Sequence, residues 1–419
     1  MLNTAWIVVM AVMAGPTGEV DNWPQFRGPG GDGHTSATGL PLKWSEHHNL
    51  VWKTAIHDVG WSSPVIWGNQ IWMTTADKKG GKLFAVCVDR TTGRVVHDIK
   101  LFDVDKPERI NRMNSYASPT PVVEAGRVYV HFGSYGTACL DTKSGKVIWS
   151  RRDMKCEHHM GPGASPIPYG KLLIFPVDGT DVQYVAALDR ETGKTVWKTK
   201  RSLDFRNVHK YCRKAFCTPS VIQAAGRKQL ISPCARGIVS YDPDTGKELW
   251  KVQSKGFSVV PRPVSDGKLV YVINDCDFPE LWAIKPDGKG NVTGSGIAWK
   301  LKKNMTQRAS ALLLKDLIFS VSHKGYVVCI DTATGKPVWT ERIGKAYSAS
   351  PIYAENRVYL FSERAGTTVI QPGRKYKPLA TNQLDGRVMA SPAIAGKAIF
   401  IRTDTHLYRI EKETPARDH

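Results

Sequence analysis

One short pattern returns along this chain at a fixed period, and it constrains the fold more than any other feature. Leu140-Asp141-Thr142-Lys143-Ser144-Gly145-Lys146-Val147-Ile148-Trp149 runs from an apolar residue and Asp through a small-residue-Gly turn to Trp. The pattern recurs as Leu188-Asp189 with Thr192-Gly193-Lys194 and Trp197, and as Tyr241-Asp242 with Thr245-Gly246-Lys247 and Trp250. A further copy is Ile330-Asp331 with Thr334-Gly335-Lys336 and Trp339. Weaker copies flank these: Val88-Asp89 with Thr92-Gly93 ends in His97, Ala283-Ile284 reaches Trp299 through a longer Asp287-Gly288 turn, and the stretch around Pro372-Gly373-Arg374 is eroded. A fixed period of this length means repeated supersecondary units that bury their faces against one another.

A second marker runs out of phase with the first: Pro, usually after a small residue and before β-branched or apolar residues. It occurs at Pro64, Pro119, Pro166, Pro219, Pro263, Pro351 and Pro392, and Ser310-Ala311-Leu312 fills the remaining gap without a proline. Counting that gap gives eight units, each long enough for four short strands and their turns. The pattern predicts an all-β chain, an eight-bladed β-propeller with four-stranded antiparallel blades.

The strand order can be read within one unit. Ser118 to Val123 is expected as the inner strand, Arg127 to Phe132 as the second, Thr137 to Leu140 as the third and Val147 to Ser150 as the outer one. The repeat residues Asp89, Asp141, Asp189, Asp242 and Asp331 can accept from turn N–H groups. The Gly after them can supply positive φ. Trp149, Trp197, Trp250, Trp299 and Trp339 read as wedges between blades, since an aromatic recurring at blade period is packing before it is a ligand box. Leu50-Val51-Trp52-Lys53 is an outer-strand sequence lacking its own turn, whereas Leu407-Tyr408-Arg409-Ile410 is a third strand lacking an outer partner. The N-terminal strand should therefore join the last C-terminal blade and close the ring. The chain divides into a signal-like segment at 1–20, a lead-in at 21–43, the propeller at 44–411 and a tail at 412–419.

The apolar run from Ala5 to Ala14 is too short to span a bilayer and resembles a signal-peptide core, although no Lys or Arg precedes it. Export to a periplasmic or cell-envelope location is expected, with no transmembrane span in the mature chain. The formal net charge is +20. Lysines after the repeat Gly solvate the turns, but a surplus of this size also favours anionic partners, here an acidic protein or an anionic glycan or other polymer. Nucleic acid suits an exported chain poorly.

The Asp, Thr-Gly, Trp repeats resemble the pyrroloquinoline-quinone (PQQ) propeller repeat superfamily over nearly the whole chain after Trp44. That superfamily includes quinoprotein alcohol dehydrogenases, non-catalytic outer-membrane-assembly scaffold lipoproteins and exported planctomycete-type proteins. Trp23-Pro24-Gln25-Phe26-Arg27-Gly28-Pro29 with Asp32-Gly33 is similar to the lead-in of the last group. The dehydrogenase resemblance implies a disulfide between adjacent cysteines and a Glu, Asn and Asp calcium site. No two of the eight cysteines are adjacent, Asn111, Asn114, Asp181 and Asp277 are only loose calcium candidates, and no Cys-x-x-Cys-His haem motif is present. No lipid-attachment cysteine follows the signal-like run, since the first cysteine is Cys87.

Cys87, Cys139 and Cys329 occupy one small-residue slot before the repeat Asp and are expected in the core. Cys156, Cys212, Cys217, Cys234 and Cys276 fall in loops or near strand ends, where Cys212–Cys217 or Cys156–Cys212 could pair in an oxidising compartment. With His158, His159 and His209 nearby, metal binding is the sharper alternative, although the spacing matches no metal motif. Long polar connections at Asp103 to Tyr116, Arg151 to Gly163 and Lys200 to Phe216 are expected to build one side of the ring's mouth. They carry Arg109, Asn111, Arg112, Asn114, His158, His159, Arg206, His209 and Arg213, and Trp61 and Tyr347 are expected to line the channel entrance. No residue is assigned a catalytic role. The function expected is a monomeric, non-catalytic exported binding or scaffold propeller, acting through this basic mouth without a cofactor. The alternative is a PQQ- and calcium-dependent oxidoreductase of alcohols or sugars with a diverged site.

Overall fold

The computed structural model describes residues 22–364 and 366–413, so the signal-like segment and most of the tail lie outside the described residues. The described residues form eight antiparallel sheets built on four strands each, one of them extended by a fifth, and no α-helix is present among them. The inner strands of blades 1 to 8 are Val65–Trp67, Val122–Glu124, Ile167–Tyr169, Ser220–Ala224, Val264–Ser265, Leu312–Leu314, Ile352–Ala354 and Ala393–Ala395. Blade 8 is composite: Leu50–Ala55 pairs antiparallel with His406–Ile410 and supplies its outer strand. Ring closure by both chain termini is therefore as the sequence indicates.

The inner strand of blade 2 begins later than expected, at Val122 rather than Ser118. Pro119 and Pro121 have no N–H to give to a ladder, so pairing starts only after them. Blade 4 gains a short fifth strand, Gly290–Asn291, parallel to Glu248–Gln253. This strand comes from the long turn of blade 5 that the sequence had marked.

Hydrophobic cores lie between blades. Ile71 and Met73 of blade 1 share a core with Phe400 of blade 8, while Trp72 and Ala85, on the other face of the same sheet, pack with Val128 and Val130 of blade 2. Both faces of every sheet are buried, which gives second and third strands their near-continuous apolar runs.

The repeat turn works as an inter-blade clasp. Asp189 Oδ1 accepts from Thr192 N and Oγ1, each at 2.8 Å, and Gly193 takes φ +70°. The Trp149 ring of the preceding blade lies against Gly193 so closely that a Cβ there would sit 2.6 Å from it, and its Nε1 donates to Arg190 O at 2.9 Å. Trp197 covers Gly246, Trp299 covers Gly335 and Trp52 covers Gly93 in the same way. Trp250 departs from the rule: it is fully buried, donates to Gln229 Oε1 at 2.7 Å, and lies in register with Gly290 of the enlarged blade 5 turn, which adds a strand beside it.

The proline marker coincides with a second belt. The N–H of Ser63 donates to Thr120 Oγ1 of the next blade at 3.0 Å, that of Thr120 to Ser165 Oγ at 2.9 Å, and that of Ser165 to Thr218 Oγ1 at 2.9 Å. The belt resumes with Arg262 N to Ser310 Oγ, Ser310 N to Ser350 Oγ and Ser350 N to Ser391 Oγ. Arg262 itself fills the blade 5 slot, so no hydroxyl is offered there.

Candidate functional site

In an up-and-down blade, the first-to-second hairpin and the Asp/Thr-Gly turn share one face of the ring. The second-to-third turns and the connections between blades share the other, the mouth face. The lead-in lies across the turn face. Trp23 exchanges hydrogen bonds with Ile66 of blade 1 at 2.8 Å, and Pro24 O accepts from Val123 N of blade 2 at 2.8 Å. Arg27 donates to Ser310 O and Ala311 O of blade 6, and Gly33 O accepts from Tyr353 N of blade 7 at 2.9 Å. Arg262 of blade 5 reaches Phe26 O at 2.8 Å. Arg27 and Arg262 are both buried, with pKa values pulled down by desolvation to about 9 and about 10 and held up in part by Asp32. Residues 23–35 thus bridge five blades and cover the ring on the turn face, which leaves the mouth face as the side of approach.

The connections expected at the mouth do gather there, and they interlock. Asn114 Nδ2 donates to Met160 O at 2.8 Å and Pro162 O at 2.9 Å, and Asn111 N donates to Met160 O at 3.2 Å. The Glu108 carboxylate accepts from the N–H groups of His158 and His159. His159 stacks on Tyr211 of the next connection, with centroids 3.8 Å apart and planes at 17°, and His209 meets the edge of Tyr211 at 5.0 Å. Asn111 and Asn114 are therefore fasteners between loops. Arg109 and Arg112 are exposed, Arg213 is half-buried with its Nε on Val208 O at 3.0 Å, and Arg206 is largely exposed in a pair with Asp204 at 3.0 Å. A groove of about 830 Å³ beside them is lined by Tyr184, Lys198, Lys200, Phe205, Arg206 and Arg213, among others.

Other expected mouth residues lie deeper. His158 is only 3% exposed: its Nε2 accepts from Ser134 N at 2.7 Å and its Nδ1 lies 3.2 Å from Lys214 Nζ. Burial, reinforced by Lys214, pushes the His158 pKa well below the ordinary value, and burial also lowers that of Lys214. Tyr347 is 1% exposed and sits with Phe319 and Leu360 in the core between blades 6 and 7. Trp61 is half-buried, its N–H on Ala117 O at 3.1 Å and its indole Nε1 buried without a partner.

Four charged positions that the sequence reading missed also lie on this face. Glu363 receives Arg308 at 3.1 Å and Arg387 at 2.9 Å, and Arg387 extends to Met113 Sδ at 3.5 Å. Arg402 lies between blades 8 and 1. These residues sit in a second-to-third turn, two connections and a strand end, where no repeat-level signal distinguishes them from solvating charge.

All eight cysteines are free thiols. The pairings expected for Cys212 are not made: Cys217 Sγ faces Pro261 O at 3.0 Å and Cys156 Sγ faces His158 Nδ1 at 3.8 Å. Cys87, Cys139 and Cys329 are buried as expected. Among the described residues, no three His, Cys, Asp or Glu side chains converge as a metal site. A quinone with calcium does not fit the loose donor set, because its members are dispersed and already engaged. Asn114 Oδ1 accepts from Ser115 N and Ser118 Oγ, Asp181 Oδ1 accepts from Glu157 N, and Asp277 lies on a separate turn of blade 5.

Comparison with known proteins matches residues 42–199 and 293–371 to the family described as outer membrane protein assembly factor BamB. Outer membrane protein assembly factor BamB of Shewanella oneidensis is 19% identical over 324 residues, covering 71% of this chain and 75% of that protein. Quinoprotein alcohol dehydrogenase PedH of Pseudomonas putida is 28% identical over 193 residues, covering 43% of this chain and 28% of that protein. The matches to PedH and to a second and third alcohol dehydrogenase span less than a third of those proteins' lengths. Among solved structures, the quinohemoprotein alcohol dehydrogenase from Comamonas testosteroni superposes with a TM-score of 0.66 at 10% identity, covering 96% of this chain and 82% of that one. BamB from Moraxella catarrhalis superposes with a TM-score of 0.59 at 12% identity, covering 88% and 99%. These likenesses establish the propeller fold. No helix among the described residues is long and apolar enough to cross a membrane.

Proposed function

The chain belongs to the family described as outer membrane protein assembly factor BamB, and from that premise we propose that it is an exported, non-catalytic binding propeller of the periplasm or cell envelope. It holds an acidic protein partner on the mouth face. The observation that carries this reading is the interlocked rim. Asn114, Glu108 and the His159–Tyr211 stack fasten three successive connections together, so Arg109, Arg112 and Arg213 are presented on a fixed frame. Preorganised cations lose little freedom on binding and accelerate capture of an anionic surface.

The test uses immobilised polyglutamate as a stand-in for an acidic protein face. The full chain is expected to be retained and released by salt, and the triple variant Arg109→Glu, Arg112→Glu, Arg213→Glu to pass unretained with an unchanged melting temperature. Equal retention of the variant would overturn the reading. The likeness to quinoprotein dehydrogenases favours a second reading, a quinone-dependent oxidoreductase. Titration of the purified protein with PQQ and calcium tests it, and absence of saturable binding at high micromolar cofactor removes it.

A further inference from the structure

We propose that the ring contains an oxyanion site at the seam between blades 8 and 1, formed by Arg402, Trp61 and Thr75, which receives a carboxylate or phosphate group of a small ligand. The proposal rests on the reading of the mouth face as the binding face and names the chemistry inside it.

The first observation is a buried cation without a counter-charge. Arg402 ends the strand Ala398–Arg402, is 3% exposed, and uses Nη1 to donate to Ser62 O at 3.0 Å and Ser62 Oγ at 2.7 Å. Its Nε/Nη2 edge has no acceptor and the side chain makes no ion pair among the described residues; desolvation alone lowers its pKa to about 9. The other deeply buried arginines are compensated. Arg201 is paired with Asp178 at 2.7 Å, and Arg27 and Arg262 share the field of Asp32. A lone buried guanidinium carries a desolvation penalty of several kcal/mol, and an arriving oxyanion offsets it through the same planar edge that forks onto carboxylates and phosphates.

The second observation is that two further side chains beside the same connection carry unmatched polar atoms. The backbone of Gly60 passes directly against Arg402 Nη2, where any Cβ would collide, so glycine is what lets the connection hug the guanidinium. The next residue, Trp61, leaves its indole N–H buried and unpartnered. Thr75 is fully buried with its hydroxyl unpartnered, and it shares with Ile71 and Met73 the face of blade 1 that packs on blade 8. Unsatisfied buried polar groups are rare, so the orphaned Trp61 and Thr75 groups, together with the uncompensated charge of Arg402, mark this connection as a place for an acceptor. The lead-in covers the turn face, so this seam is approached through the mouth.

The test is calorimetric titration of the full chain with inorganic phosphate and separately with citrate, at chloride-matched ionic strength. The two arms distinguish a phosphate ligand from a carboxylate one. Saturable one-to-one binding of at least one anion is expected. By the worth of hydrogen bonds to charged groups, Arg402→Gln is expected to weaken it on the order of 100-fold and Trp61→Phe on the order of 10-fold. The exposed-rim variant Arg109→Glu, Arg112→Glu, Arg213→Glu should bind the small anion as the parent does. No saturable binding of either anion, or unchanged affinity in Arg402→Gln, overturns the proposal. If Arg402→Gln does not fold, Trp61→Phe and Thr75→Val each remove a single donor and decide the matter, unchanged affinity in both overturning it. Failure of the parent chain to be retained on polyglutamate while it still binds the small anion would refute the rim reading alone.

Discussion

Replacing Gly193 by alanine tests the clasp that joins neighbouring blades. Gly193 holds φ +70°, and a Cβ there would lie 2.6 Å from Trp149 Cδ2. The left-handed backbone costs about 1–2 kcal/mol for a residue with a side chain. Displacing the indole adds about 1–3 kcal/mol of overpacking, and loss of the 2.9 Å bond from Trp149 Nε1 to Arg190 O adds about 1 kcal/mol. Gly193→Ala should therefore destabilise by about 3–6 kcal/mol on these magnitudes. Gly126 is the control: its φ is +78° but nothing lies within 4 Å of its added Cβ, so Gly126→Ala should lose only the backbone part, about 1–2 kcal/mol. Denaturant unfolding followed by far-UV dichroism measures both variants. A double-mutant cycle on Trp149→Ala should bring the Gly193→Ala penalty down to that of Gly126→Ala. Equal losses at Gly193 and Gly126 in the parent, or a Gly193 penalty that survives removal of the indole, would refute the clasp.

Other positions give further expectations. His57 lies beside the closure seam, with Nδ1 2.8 Å from Asp58 and Nε2 3.0 Å from Asp98; burial lowers its pKa, but the two carboxylates outweigh that and raise it. Its stabilising contribution is complete below the unfolded value of about 6.5 and fades as pH rises through the raised folded value. At 38% side-chain exposure it is screened to about 1 kcal/mol or less, and His57→Gln should remove that slope from a series of melting temperatures spanning neutral pH. Asp178→Asn strips the buried Arg201 of its carboxylate and should cost about 3–5 kcal/mol in denaturant midpoint analysis, a loss under 1 kcal/mol contradicting the pairing. Arg27→Ala leaves the carbonyls of Ser310 and Ala311 without their donor and should expose the lead-in to limited proteolysis at concentrations that spare the parent. An unchanged digestion pattern would show that residues 23–35 are held by other contacts.

The blade number, the strand order and the composite eighth blade were legible because each depends on a residue whose role repeats. Trp149 over Gly193 is the same contact as Trp197 over Gly246, so one reading served several times. His97 marks where the signal thinned without failing: it stacks on Trp72 and lies against Gly145 in place of a tryptophan. Prolines revealed the inner strands, yet the hydrogen bonds that link neighbouring blades there are accepted by hydroxyl residues beside most of those prolines, as in Ser63 to Thr120. The site was much less legible. Residues 23–35 form no regular element and act by reaching five separate blades, which only the closed ring brings together. His159 and Met160 adopt positive φ of 36° and 84° in a loop of non-repeating sequence, which local propensity does not announce. Arg402 resembles any charged strand end until Gly60 and Ser62, more than 300 positions away, are laid beside it.

Closing the ring with Leu50–Ala55 against His406–Ile410 sets a timetable for synthesis. The early strand leaves the ribosome while its partner is still hundreds of codons away. At the usual 5–20 residues per second, it waits about 20–70 s for that partner. During this interval blades 1 to 7 can stack in order, but blade 1 presents Ile71 and Met73 to a neighbour that does not yet exist. A newborn chain is therefore an open arc with an adhesive edge at each end, and a second newborn chain offers the same two edges. Holding such arcs apart until the last blade arrives is a task for the cell's chaperones.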